Sequence, residues 1–409
     1  VIQCKKRMKV NDDMEKRTWN QFTIKNGNKS LVLETIIKHS PISRADIANN
    51  TGLNKGTVSS QVIELLQEEL IYERGPGQSS GGRRPVMLHF NQKAGYSIGI
   101  DIGVNYILGI LTDLEGNICG ESSLPLHNLE FANIINQLLG IIDSLVAAAP
   151  PSRYGIVGIG IGVPGSVSKC GQILLAPNLG WKEFDLKSLL EEKYDCPIII
   201  ENEANAGAYG EKTFGSGRNE SDIVYISVGV GIGVGLILND QLYRGTNGFA
   251  GEMGHMTIEV NGTTCRCGNE GCWELYASEQ ALKSYSQQLN ISSELDELDK
   301  IIELAEEGCE TAIAAFQTLG EYLGTGIINI INSFNPKQVI IGNRIAKAKK
   351  WIEQPLRSKT TNNSLWFQQN DLEIDFSKLT THSTALGVSA FVFEGFLKSN
   401  IPTSVPVNN

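Results

Sequence analysis

The sequence predicts an α/β chain in which a winged helix-turn-helix module precedes two related α/β lobes, and three observations carry that prediction. Three helical patterns with a glycine turn between the second and third occupy residues 30–70, a glycine-rich ribbon follows at 71–90, and one strand–turn–strand pattern occurs twice in the remainder. The chain has 409 residues, 41% hydrophobic and 20% charged with 43 glycines, enough apolar material for two to three domains at about 150 residues each. This composition excludes a disordered chain and a collagen-like repeat. No stretch approaches the ~18 uninterrupted apolar residues of a spanning helix, and the first ten residues hold no signal-like apolar run. A cytoplasmic protein with no membrane contact is expected.

The first twenty-five residues are polar and charged without a sustained period, and read as an arm or a short helix. Residues 30–38 place apolar side chains at helical spacing, and the run from Ser40 to Ser43 stops that helix and caps the next at Ser43. The second helix covers 44–51 and ends at Gly52, which tolerates a left-handed turn. Asn54 caps a third helix that runs to about Leu70. Val58, Val62, Leu65 and Leu66 form its apolar stripe, leaving Lys55, Thr57, Ser59, Ser60 and Gln61 for solvent or a ligand. Short polar side chains there let a helix enter the ~12 Å major groove of DNA. A plain three-helix packing module satisfies the same pattern.

Two short strands, 71–74 and 86–90, flank a flexible cationic tip that carries Arg83 and Arg84. As a β-ribbon wing, this tip puts guanidinium groups where a narrow minor groove attracts them; the same composition also suits a linker with two solvated arginines. Charge separates along the chain. Residues 1–95 hold 15 Lys and Arg against 9 Asp and Glu, and the rest holds 20 against 36. A basic head on an acidic body fits a nucleic-acid-binding module fused to a sensor or enzyme, and equally a solvated charged face.

The body begins near Gly95. Residues 97–116 and 223–240 each read as an apolar strand, a glycine turn, a second apolar strand and a polar turn. Buried strands follow at 156–163 and 197–200 after the first copy, and at 339–342 after the second. Two related lobes with a cleft between them are the economical explanation. The glycine turns would also let a backbone approach phosphate, though such turns are common without any ligand.

His255, Cys265, Cys267 and Cys272 supply one imidazole and three thiolates, with Gly268 and Gly271 allowing a tight return. Four protein ligands point to a closed structural Zn2+ site with no open position for a water, and unliganded buried thiols are the alternative. The other cysteines, Cys4, Cys119, Cys170, Cys196 and Cys309, are scattered. A second constellation is polar: residues 201–205 after the strand at 197–200, residues 251–255, and Glu274. Such groups at strand ends suit a polyhydroxylated ligand, while helix capping is the alternative for Glu201 and Asn205.

From about residue 28 to the end, these features resemble the ROK family (repressor, open reading frame, kinase). The helix-turn-helix and wing, the Asp101/Gly103 hairpin, residues 162–165, 201–206 and 251–255, and the three cysteines carry the resemblance. It implies two actin-like lobes of the sugar-kinase type, placed at 94–200 with 385–409 and at 201–384, after a DNA-binding domain at 1–93. It also implies a homodimer on palindromic operator DNA that represses xylose utilisation genes, is released by D-xylose in the cleft, and meets glucose as a competitor. The family's sugar contacts fall on Asn202, Glu203, Glu252, His255 and Glu274, with Gly165 as a backbone contact, so His255 serves both sugar and metal.

No catalytic residue is expected. Glu203 stands where family kinases carry an Asp base, and the phosphate hairpin holds Val104 and Asn105 in place of its glycine and threonine. Val230 replaces a loop threonine, and Asn343 follows Gly342 where a second glycine is usual. Phosphoryl transfer depends on positioning and charge stabilisation, so these changes predict a kinase fold kept as a sensor. An active sugar kinase with an appended DNA-binding domain is the alternative. Glu203 is one methylene longer than Asp and would fill the space of a hexose hydroxymethyl, favouring a pentopyranose such as xylose.

Overall fold

A computed structural model describes residues 21–76, 85–289 and 297–400. Residues 1–20 of the proposed arm, Cys4 among them, and the wing-tip arginines Arg83 and Arg84 lie outside the described residues, while residues 21–25 are helical. Packing divides the chain into two units, Val1–Asn91 with Leu397–Asn409, and Gln92–Phe396.

In the N-terminal unit, helices Gln21–His39, Arg44–Thr51 and Lys55–Gln67 pack around Val32, Leu33, Ile36, Ile47, Val58 and Leu65. The first helix starts at Gln21, ahead of the apolar period that marks it in the sequence. Ser43 accepts a hydrogen bond from Asp46 N and Asn54 from Thr57 N, while Gly52 takes φ 71°. The third helix stops at Gln67 because Glu69 turns left-handed at φ 58°, with its N–H on Leu66 O and that of Leu70 on Leu65 O. Without a glycine there, the sequence carries no stop signal. The wing strands Ile71–Pro76 and Val86–Phe90 pair antiparallel, and Ile42–Ser43 adds a third strand.

Gln61 does not face outward: it is 3% exposed, and its Oε1 has no partner. It lies three residues after Val58 and four before Leu65, so the helical period carries it onto the buried stripe. Lys55 and Ser60 are exposed, and Thr57 and Ser59 are half-buried.

The body repeats one topology. Strands Tyr96–Ile102, Tyr106–Asp113 and Ile118–Pro125 form an antiparallel meander, extended on the other side by parallel strands Ile156–Val163 and Ile198–Asn202. Strands Ile223–Val228, Ile232–Leu238, Gln241–Leu242, Gln338–Gly342 and Glu373–Phe376 repeat that order and direction. Strand 118–125 escapes sequence reading because its side chains are mostly exposed and form no apolar run. Helix Phe131–Ala148 covers the first sheet through Ile134, Leu138, Ile141 and Leu145. It is long and apolar enough by composition to cross a membrane, yet that apolar stripe is part of the core of the first lobe. Helices Glu310–Phe334 and Lys349–Asn363 cover the second sheet.

The helix after each sheet crosses to the other. Glu203–Thr213 follows the first sheet and packs on strands 223–228 and 232–238. Ser383–Asn400 follows the second and lies against the first, with Ala385 O and Val388 O over Gly99 and Gly160. The two helices meet at Gly387 and Gly210. A Cβ on Gly387 would sit 1.8 Å from Ala206 O, and one on Gly210 2.1 Å from Ser383 O.

Candidate functional site

Strand Ile198–Asn202 delivers Asn202 to the start of a helix, where its side chain does two jobs. Its Oδ1 caps the helix by accepting from Ala204 N and Asn205 N at 2.9 and 3.0 Å, and its Nδ2 donates to Gly165 O at 2.9 Å. Gly165 must be glycine, because a Cβ would lie 2.3 Å from Leu175 O. The next residue reaches the other lobe: Ser166 Oγ donates to Glu252 Oε1 at 3.1 Å.

From the second lobe, a short 3-10 helix Glu252–His255 places the imidazole between two carboxylates. His255 Nε2 lies 4.0 Å from Glu252 Oε2, and Nδ1 lies 3.4 Å from Glu274 Oε1. Gly165, Asn202, Glu252, His255 and Glu274 are thus linked by hydrogen bonds or close polar approaches from both lobes, Ser166 joining the two sets. Ser166 carried no signal in the sequence beyond its place after Gly165.

Behind His255, the donor atoms of His255, Cys265, Cys267 and Cys272 all lie within 4.8 Å of one another. Cys267 and Cys272 sulfurs are 3.6 Å apart, and Cys265 Sγ is 3.8 Å from His255 Nδ1. Those are the edge lengths of a tetrahedron with metal–ligand bonds of about 2.0–2.3 Å, so the group is able to hold a metal ion. Gly271, at φ 68° and with a Cβ position 1.8 Å from Glu259 O, makes the return possible. Nδ1 faces the thiolates, which leaves Nε2 toward Glu252. Cys119, Cys170, Cys196 and Cys309 do not belong to this group.

Glu203 does not join that set directly. Its Oε1 lies 3.5 Å from Ser227 Oγ, and it faces Asp101 of the first lobe. Burial, and then repulsion by Asp101, pushes the Glu203 carboxyl up to about 8. Burial likewise raises Asp101 to about 7, against the hydrogen bond from Tyr106, which lowers it. The folded chain therefore binds protons more tightly than the unfolded one, and stability should fall as pH rises from about 4 through about 8. Asp101→Asn, whose amide oxygen still accepts from Tyr106, should flatten that decline in thermal midpoints. An unchanged slope would contradict the account.

Sequence reading missed how the two glycine loops are filled. Tyr106 packs its ring on Gly103, where a Cβ would lie 2.5 Å from it, and donates its hydroxyl to Asp101 Oδ2 at 2.6 Å. Asn343, at φ 65°, donates from Nδ2 to Ser227 Oγ at 3.0 Å. The departures at 103–106 and 342–343 were the available signals.

The ROK family model matches residues 97–394. The chain is 48% identical to the xylose repressor of Bacillus spizizenii, over 92% of this chain and 98% of that protein. Among solved structures, a ROK family transcriptional regulator homologous to the E. coli MLC protein superposes with a TM-score of 0.78 at 27% identity, covering 93% of this chain and 99% of its own. A ROK family glucokinase from Streptomyces griseus, solved with glucose and AMPPNP, gives 0.66 at 27% identity, covering 73% and 99%.

Proposed function

The chain belongs to the ROK family, and we propose that it is a DNA-binding transcriptional repressor of xylose utilisation genes, released from its operator by D-xylose. The observation that carries this reading is coverage. Similarity to repressors runs through both the N-terminal module and the body, whereas the glucokinase likeness covers 73% of the chain. The protein is a regulator on a sugar-kinase fold and not an enzyme, with Tyr106 and Asn343 filling the loops that would cradle phosphate.

In this reading D-xylose bridges the lobes. Asn202, the Gly165 backbone and Glu203 hold it from one side, and Glu252, His255 and Glu274 from the other. The metal is Zn2+, held by His255, Cys265, Cys267 and Cys272, and it fixes the ring of His255 so that Nε2 meets a sugar hydroxyl. Lys55, Thr57, Ser59 and Ser60 form the major-groove face, and Arg83 and Arg84 reach the minor groove. The protein acts as a cytoplasmic homodimer on a palindromic operator, with glucose as a competing ligand. Release requires that D-xylose bind the DNA-free state more tightly, since equal affinity for both states shifts nothing.

Calorimetric titration with D-xylose, D-glucose and ATP-Mg tests the site. D-xylose should saturate one site per chain more tightly than glucose, and ATP-Mg should give no heat. Glu203→Asp should narrow the xylose preference by roughly tenfold, the scale of a methylene-sized change in a pocket. An unchanged ratio would remove Glu203 from the selection of a pentose, and xylose-dependent ADP release would make the protein a kinase.

A further inference from the structure

We propose that Arg244 couples the sugar-binding segment to the last helix of the body, so that sugar occupancy is converted into operator release; this rests on the repressor reading above. Arg244 opens the loop that ends in Glu252 and His255, and its carbonyl accepts from Ala250 N at 3.1 Å. Its guanidinium takes two partners at once. Nε and a terminal nitrogen reach Glu201 Oε2 at 2.9 and 2.7 Å, and the cation lies over the Phe391 ring, 5.3 Å from its centre.

Each partner belongs to a different element. Glu201 is 8% exposed at the end of strand Ile198–Asn202, and its other oxygen accepts from Asn202 N at 2.9 Å and Asn205 Nδ2 at 3.2 Å. The ion pair therefore borders Asn202, the proposed first-lobe sugar ligand. Phe391 sits on helix Ser383–Asn400 and stacks on Tyr209 of helix Glu203–Thr213 at 4.2 Å, and the Tyr209 hydroxyl donates to Glu394. The residues of helix Ser383–Asn400 from Leu397 onward group with the N-terminal unit, so the chain passes between the two units within this helix as well as at Asn91–Gln92.

The physics favours transmission over local yielding. If the loop shifts as Glu252 and His255 take up a sugar, Arg244 moves with it. It cannot leave Glu201 without stranding a buried carboxylate, which is costly. A planar guanidinium holds a carboxylate and an aromatic face together, as an ammonium does not, so displacement passes to Phe391 and its helix.

The test uses the full chain and measures D-xylose affinity by calorimetry and operator affinity with and without saturating D-xylose. For Arg244→Met, operator affinity without sugar and D-xylose affinity of free protein should stay within about threefold of native, while the xylose effect on the operator falls by about tenfold or more. By linkage, its operator complex should bind D-xylose nearly as tightly as free protein does. Arg244→Lys should rescue little. Phe391→Leu, which leaves the ion pair in place, should weaken coupling in the same direction if Arg244→Met proves unstable. A full xylose effect in Arg244→Met and Phe391→Leu would overturn the proposal. So would a loss of D-xylose affinity equal to the loss of release, which would make Arg244 a sugar ligand or a structural residue. A native chain whose operator affinity ignores D-xylose would overturn the repressor reading, and this inference with it.

Discussion

Cys272→Ser should abolish the sugar response. Cys272 is fully buried, its Sγ is 3.6 Å from Cys267, and its backbone bridges to Thr257 two residues beyond His255. A serine hydroxyl is shorter and does not give up its proton to a metal at neutral pH, so the four-ligand group becomes three. In the proposed reading the metal is then lost, the His255 ring loses the bond that orients it between Glu252 and Glu274, and the affinity for D-xylose should fall by about 100-fold. Elemental analysis should find one zinc per native chain and none in the variant, and calorimetry gives the affinity. A metal-free variant that binds D-xylose normally would separate the metal from the sugar site.

Gly387→Ala should destabilise the body by about 3 kcal/mol, the upper range for forcing extra atoms into a packed interior. The sign is diagnostic. Alanine is a better helix former than glycine by about 1 kcal/mol, so local preference alone predicts a gain. Against it, the new methyl would lie 1.8 Å from Ala206 O and 2.6 Å from Ala206 C, both backbone atoms of the crossing helix. The helices must separate, and with them the reciprocal crossing that joins the two lobes. Thermal unfolding should show a midpoint several degrees lower; an unchanged or raised midpoint would mean that the crossing is loose.

The strongly periodic and strongly punctuated elements were legible in the sequence. Ser43, Gly52 and Asn54 mark their helix ends with side-chain chemistry that needs no tertiary context, and the duplicated hairpins announce the duplicated sheets. Elements whose logic is not local were hidden. Strand Ile118–Pro125 is held by its neighbour's hydrogen bonds and not by apolar alternation. Gln61 looked like a surface residue by type, and only its angular position betrays its burial. The group of His255, Cys265, Cys267 and Cys272 that could hold a metal was legible because thiolates crowd in sequence. Ser166, Tyr106 and Arg244 were not, because each acts on a partner far along the chain or through a ring that reads as ordinary core.

Repression of the proposed kind requires one chain to bind operator DNA and to let go when D-xylose enters the cleft. The measurement that tests it most directly is binding to a palindromic DNA from upstream of xylose catabolic genes, at fixed salt, with and without D-xylose, D-glucose and ATP. Tight binding that D-xylose releases and ATP leaves unchanged is the expected result. No DNA binding together with xylose-stimulated ATP turnover would contradict it.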